Sequence, residues 1–65
     1  MSRMEKNILK LASKLKFVPA SQTRFKSGLA GFDKVAFNDE FVLFTDGETI
    51  EWVSMNGHYS GSVRL

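Results

Sequence analysis

A chain of 65 residues with no cysteine, one histidine and a net charge of +2 makes one small domain that no disulfide or thiolate-bound metal can staple. Its longest wholly apolar run is Phe41–Phe44, far short of the roughly 18 residues that span a bilayer. Lys10, Lys14 and Lys16 break up what would be the apolar region of a signal peptide, so a cytoplasmic protein that needs no metal and no cofactor is the expectation.

The charge is segregated along the chain. Residues 1–34 hold eight of the nine basic residues against Glu5 and Asp33, a net of +6, whereas residues 35–65 set Arg64 against Asp39, Glu40, Asp46, Glu48 and Glu51, a net of −4. Such asymmetry acts on partners rather than on fold and points to an acidic ligand.

Ser2-Arg3-Met4-Glu5 reads as a capping box opening a helix over residues 3–16, in which the Ser2 hydroxyl and the Glu5 carboxylate each accept from the other residue's amide. Met4, Ile8, Leu11 and Leu15 recur at steps of four, three and four and share one face, with Ala12 beside them. Pro19, which lacks an amide hydrogen and biases Val18 toward extended geometry, forbids continuation. At about 100° per residue, Arg3, Lys6, Lys10 and Lys14 fall within an arc of roughly 80° on the flank away from that apolar face. They form a ridge of like charge about 16 Å long, suited to phosphates or an acidic protein face. A merely solvated face is the plainer alternative. A membrane-surface helix lacks its usual Trp or Phe anchors here.

Residues 17–31 read as a connector. Gln22–Lys26 has the alternation of a short strand, with Arg24 and Lys26 leaving from one face on either side of Phe25, and Ser27–Gly31 is turn chemistry.

From Phe32 onward the pattern is that of strands. Lys34–Asn38, Phe41–Thr45, Thr49–Met55 and His58–Leu65 are separated by Asn38-Asp39-Glu40, Asp46-Gly47-Glu48 and Asn56-Gly57. Asp-Gly and Asn-Gly between apolar runs signal hairpins, with type I′ turns the favoured geometry. The expectation is an α+β fold, one N-terminal amphipathic helix packed on a four-stranded antiparallel meander. Ile50, Trp52 and Ser54 form the strand face that the helix covers. Phe41-Val42-Leu43-Phe44 is apolar on both faces, so something must also cover the second face: the connector, a second copy, or another protein. If Phe44 packs toward the helix, Phe41 and Leu43 face away from it and form an interface.

Residues with chemical potential are few. His58, Ser60 and Ser62 are the types a hydrolase uses, but a nucleophile needs a base and an orienting group converging in a cleft, and a chain this small has little room for one. The glycines and hydroxyls of residues 56–62 match no phosphate-loop spacing, and Gly61 reads as a thinned strand, with a bulge as one explanation. No catalytic site is expected.

Two functions remain. The first is a non-enzymatic binding protein, expected to be a homodimer, that engages nucleic acid through Arg3, Lys6, Lys10 and Lys14, supported by Arg24, Lys26 and Lys34. The second is a protein-directed regulator, an inhibitor or antitoxin-like subunit, docking through Phe41 and Leu43 or through an edge strand.

Overall fold

The computed structural model describes residues 2–25 and 30–65. Helix α1 (Arg3–Lys14) lies on an antiparallel sheet of β1 (Val18–Pro19), β2 (Lys34–Phe37), β3 (Phe41–Thr45), β4 (Thr49–Ser54) and β5 (Ser60–Arg64), arranged in chain order. The α+β meander is therefore as expected, with one strand more. The added strand is the short β1, whose Val18 pairs with Val35 and Pro19 with Lys34. The extended bias that Pro19 imposes on Val18 sends the chain into the sheet instead of only ending the helix. Ala20 donates to the Asp33 carbonyl at 2.8 Å, so the ring nitrogen of Pro19 sits on the outer side of this edge, where it offers no donor to a further strand.

The capping box forms as read. The Glu5 amide donates to Ser2 Oγ at 3.1 Å, and the Ser2 amide to Glu5 Oε1 at 2.9 Å. The helix closes at Lys14 rather than Lys16, because Leu15 is already extended (φ −89°, ψ 147°) and three residues suffice to reach β1. Ile8 is fully buried, and with Leu43, Ile50, Trp52 and Val63 it forms the core between helix and sheet, joined by Met4, Leu11, Leu15 and Phe17.

The second face is covered by the connector. Val18, Ala20, Phe25 and Phe32 pack over Val35, Val42 and Phe44, which accounts for the doubly apolar β3 without a partner. The described part of Gln22–Lys26 is not a strand: Ala20–Gln22 is a 3-10 turn, and Thr23 Oγ1 donates to the Ala20 carbonyl at 2.8 Å and accepts from the Phe25 amide at 3.0 Å. Thr23 and Phe25 are therefore drawn into local hydrogen bonds that compete with a ladder. Lys26 and Ser27–Leu29 lie outside the described residues.

The facing of β3 is the reverse of the expectation. Register pairs Leu43 with Trp52 and Phe41 with Ser54, so these residues look toward the helix. Leu43 has no exposed surface, and Phe41 meets Trp52 edge-to-face with ring centroids 5.8 Å apart. Phe44 turns to the second face, beneath Phe25 at 6.1 Å and 90°. Phe41 and Leu43 thus belong to the core under the helix and form no outward interface. Period-two alternation defines the two sets of residues but not which set the helix takes.

The hairpins differ from type I′ as well. Among the described residues only glycines have positive φ, Gly47 at 98° and Gly57 at 76° in these turns, whereas I′ needs two such residues in succession. An Asx side chain organises each turn instead. Asn38 Oδ1 accepts from the amides of Glu40 and Phe41, Asp46 Oδ1 from those of Glu48 and Thr49, and Asn56 Oδ1 from that of His58, all at 2.8–2.9 Å. The buried Thr45 hydroxyl donates to the Thr49 carbonyl at 2.8 Å, and that of Ser54 to Asn56 Oδ1 at 2.7 Å.

Gly61 sits in regular register opposite Trp52 rather than in a bulge. A Cβ at Gly61 would lie 3.0 Å from Trp52 Cζ2 and 3.2 Å from both Cε2 and Nε1. The strand lacks a side chain there because the indole lies across it. The indole nitrogen is buried and meets no hydrogen-bond acceptor among the described residues.

Candidate nucleic-acid interface

The basic ridge is a consequence of how α1 is anchored. Ile8 is fully buried, and Met4, Leu11 and Leu15 pack around it, which leaves Arg3, Lys6, Lys10 and Lys14 exposed along one flank. That flank overlooks the β2–β3 turn. Between them runs a groove of about 270 Å³ lined by Asn7, Lys10, Leu11, Lys14, Glu40 and Phe41. Two ammonium groups thus stand on one lip, a single carboxylate on the other, and an apolar ring lies between. The capping box places the Glu5 carboxylate at the helix N-terminus, where the Ser2 amide and then the Ser2 hydroxyl interaction hold its pKa below the ordinary 4.5. The one acid of the helix is therefore turned back into the cap and away from the ridge.

The remaining predicted cations separate. Lys34 is exposed on β2, its side chain on the same sheet face as the helix. Arg24 lies beyond the opposite face, its guanidinium 5.1 Å from the ring centre of Phe25 and 5.6 Å from that of Phe37. The two rings meet edge-on at 5.0 Å and 64°. Two ring quadrupoles hold the cation in place, and Phe37 remains 40% exposed. In the sequence these aromatics are interleaved with Arg24, Lys26 and Lys34, a pattern that suits base stacking; that Phe37 joins Arg24 and Phe25 in one patch follows only from tertiary packing.

No family model, no curated protein and no solved structure matches this chain. Its chemistry therefore has to be read from its own surfaces. Among the described residues no group of three or more His, Asp or Glu side chains is placed to hold a metal ion, and no helix is long and apolar enough to cross a membrane. His58 is exposed in the β4–β5 turn, where its amide, not its ring, makes the local hydrogen bond to Asn56. Ser60 and Ser62 lie exposed on β5, their side chains on the face turned away from the helix.

A second concavity of about 360 Å³ lies on that face. The described part of the connector packs over Val35, Val42 and Phe44, and beside it is this groove, lined by Phe44, Glu51, Val53, Ser60 and Ser62 with the backbone at Gly61. A third, about 390 Å³, lies at the N-terminal end of the helix among Met4, Asp39, Phe41, Met55 and Tyr59.

Proposed function

We propose that this chain is a non-enzymatic nucleic-acid-binding protein whose contact surface is the basic flank of α1. The observation that carries the reading is the alignment of Arg3, Lys6, Lys10 and Lys14, all exposed, with Lys10 and Lys14 on the lip of a groove. Their spacing along the helix suits successive phosphates of one strand. Such contacts position a ligand without reading its bases, so the expected binding is strong at low salt and indifferent to sequence. Lys34 supports the same side of the molecule. Arg24 is on the opposite face, so a ligand seated on the flank reaches it only by passing around the sheet edge.

Counterion release supplies the test. Four phosphate contacts at about 0.9 per contact give a log–log salt slope near −3.6, a loss on the order of 100-fold between 50 and 200 mM salt. Lys10→Glu should weaken binding of a short mixed-sequence oligonucleotide, measured by fluorescence anisotropy, whatever the base composition, and flatten that slope. Arg24→Glu should change it much less. Equal affinity of Lys10→Glu and wild type would refute the assignment.

A second reading, a protein-directed regulator, is favoured by one feature, the outer edge of β5 beside the groove around Glu51, which no described strand pairs. Strand addition at that edge is the mode it would use. Capture of a partner that survives Lys10→Glu but fails in Ser62→Pro, which blocks the β5 edge, would favour this reading over the first.

A further inference from the structure

We propose that β5 is the seam of a homodimer, two copies pairing antiparallel about a two-fold axis at Ser62 so that the sheets of both run together. This inference does not rest on nucleic-acid binding.

The backbone supplies the first argument. The Ser54 amide donates to the Tyr59 carbonyl and the Leu65 amide to the Glu48 carbonyl, both at 2.8 Å. With Trp52 opposite Gly61 and Ile50 opposite Val63, the odd-numbered residues of β5 direct their amides and carbonyls toward β4. Antiparallel alternation then turns those of Ser60, Ser62 and Arg64 outward. β5 is the terminal strand of the sheet, and among the described residues no strand pairs with these groups, unlike the opposite edge with its proline. A two-fold at Ser62 sets Ser60 against Arg64 of the copy and Ser62 against itself, and about six backbone hydrogen bonds close with no group left over.

Side chains on both faces fit the same register. On the helix side it brings Tyr59 opposite Leu65 of the copy. Among the described residues these are the two most exposed large hydrophobics, at 60% and 63%, and they stand at the two ends of β5, where only this register covers both. On the other side, Arg64 of the copy lies beside Ser60 and diagonal to Glu51. Strand spacing of about 4.8 Å and a rise of about 3.4 Å put their Cα atoms about 12 Å apart. The small side chains of Ser60 and Ser62 leave this path open, and it is the groove of about 360 Å³ described above. An arginine entering along the serines would meet the half-buried Glu51 carboxylate in the groove. The positive flank of α1 faces Glu40 and Phe41, away from the seam, so dimerisation leaves it free.

The test is oligomeric mass by sedimentation velocity over a concentration series. Wild type should sediment at twice the chain mass. Ser62→Pro, which removes an outward amide without touching the β4 ladder, should sediment at the single mass with an unchanged circular dichroism spectrum. Glu51→Arg sets Arg against Arg at both ends of the seam and Arg64→Glu sets Glu against Glu, so each alone should be monomeric. Mixed one to one, they should recover the doubled mass, since every cross-seam pair is then attractive. Arg64 is exposed and Glu51 half-buried, both on the sheet face turned away from the helix core, so this arm stands even where the proline disturbs folding. A monomeric wild type overturns the proposal, as does a dimer indifferent to all three substitutions, or two charge variants that stay monomeric when mixed.

Discussion

Replacing Gly61 by alanine adds one methyl group to a strand whose pairing is regular, and on strand propensity alone the change should stabilise. Alanine restricts the unfolded chain and is preferred over glycine in an element interior, a gain of about 0.5–1 kcal/mol. The indole of Trp52 reverses the sign. The new Cβ would stand 3.0 Å from Cζ2 and 3.2 Å from Cε2 and Nε1, so the ring must retreat by several tenths of an ångström. It has nowhere to go: Trp52 is 8% exposed, clustered with Ile8, Leu43, Ile50 and Val63 and flanked by the Phe41 ring. Overpacking of this kind costs about 1–3 kcal/mol, which leaves a net loss of about 1 kcal/mol after the glycine gain. Urea unfolding followed by far-ultraviolet circular dichroism, at fixed protein concentration, should show the midpoint falling by about 1 M for a slope near 1 kcal/mol/M. Trp52→Phe removes the benzo carbon Cζ2 that stands nearest the methyl and leaves a smaller ring with room to shift. In that background Gly61→Ala should become neutral or stabilising, a coupling of about 1–2 kcal/mol in the double-mutant cycle. A Gly61→Ala protein as stable as wild type, or equal effects in both backgrounds, would refute the account of why glycine occupies this position.

Phe41→Ser should destabilise the fold by about 3 kcal/mol, read as a lowered urea midpoint, because its ring packs inward on Trp52; loss of self-association with stability retained would instead return Phe41 to an outward surface. Phe25→Ala should lower stability by about 2–3 kcal/mol and raise dye binding to exposed apolar surface, since Phe25 bridges Phe37 and Phe44 over the second face; a neutral outcome would mean that the connector is not the cover. Acid should weaken the fold through Glu5 and Asp46, both held below their ordinary values of 4.5 and 3.8, by the Ser2 amide and by the amides of Glu48 and Thr49 respectively. A depressed folded pKa contributes stability that is complete above the unfolded value and lost as pH falls through the folded one. The melting temperature should therefore drop on acidification below those values, and by less in Asp46→Ala, whose turn has no carboxylate to protonate; an identical acid profile in that variant would exclude Asp46 as a source.

What the chain determines locally, it shows openly. The capping box needs only Ser2 and Glu5 three residues apart, and the helix face needs only the steps between Met4, Ile8, Leu11 and Leu15. Turns at Asn38, Asp46 and Asn56 depend on side chains bonding amides two or three residues on, so their positions were legible even though their geometry was not type I′. The ridge of Arg3, Lys6, Lys10 and Lys14 belongs to this class, since helical periodicity alone gathers it. What tertiary structure decided is everything that depends on which surface meets which. Alternation divides β3 into Phe41 with Leu43 and Val42 with Phe44, but the helix accepts one set only because Ile8, Trp52 and Val63 fill the space beside Leu43. The connector carries too few apolar residues to declare itself a layer, and only the sheet beneath Ala20, Phe25 and Phe32 makes it one. β1 is two residues long and has no periodicity of its own; it exists because Val35 offers it an edge. Gly61 reads as a weakness in a strand until the indole of Trp52, nine residues away in sequence and one strand away in space, is laid across it. Local hydrogen bonds and periodicity are properties of neighbours in the chain, whereas facing, coverage and close approach are settled by packing between distant segments, which no single stretch of sequence encodes.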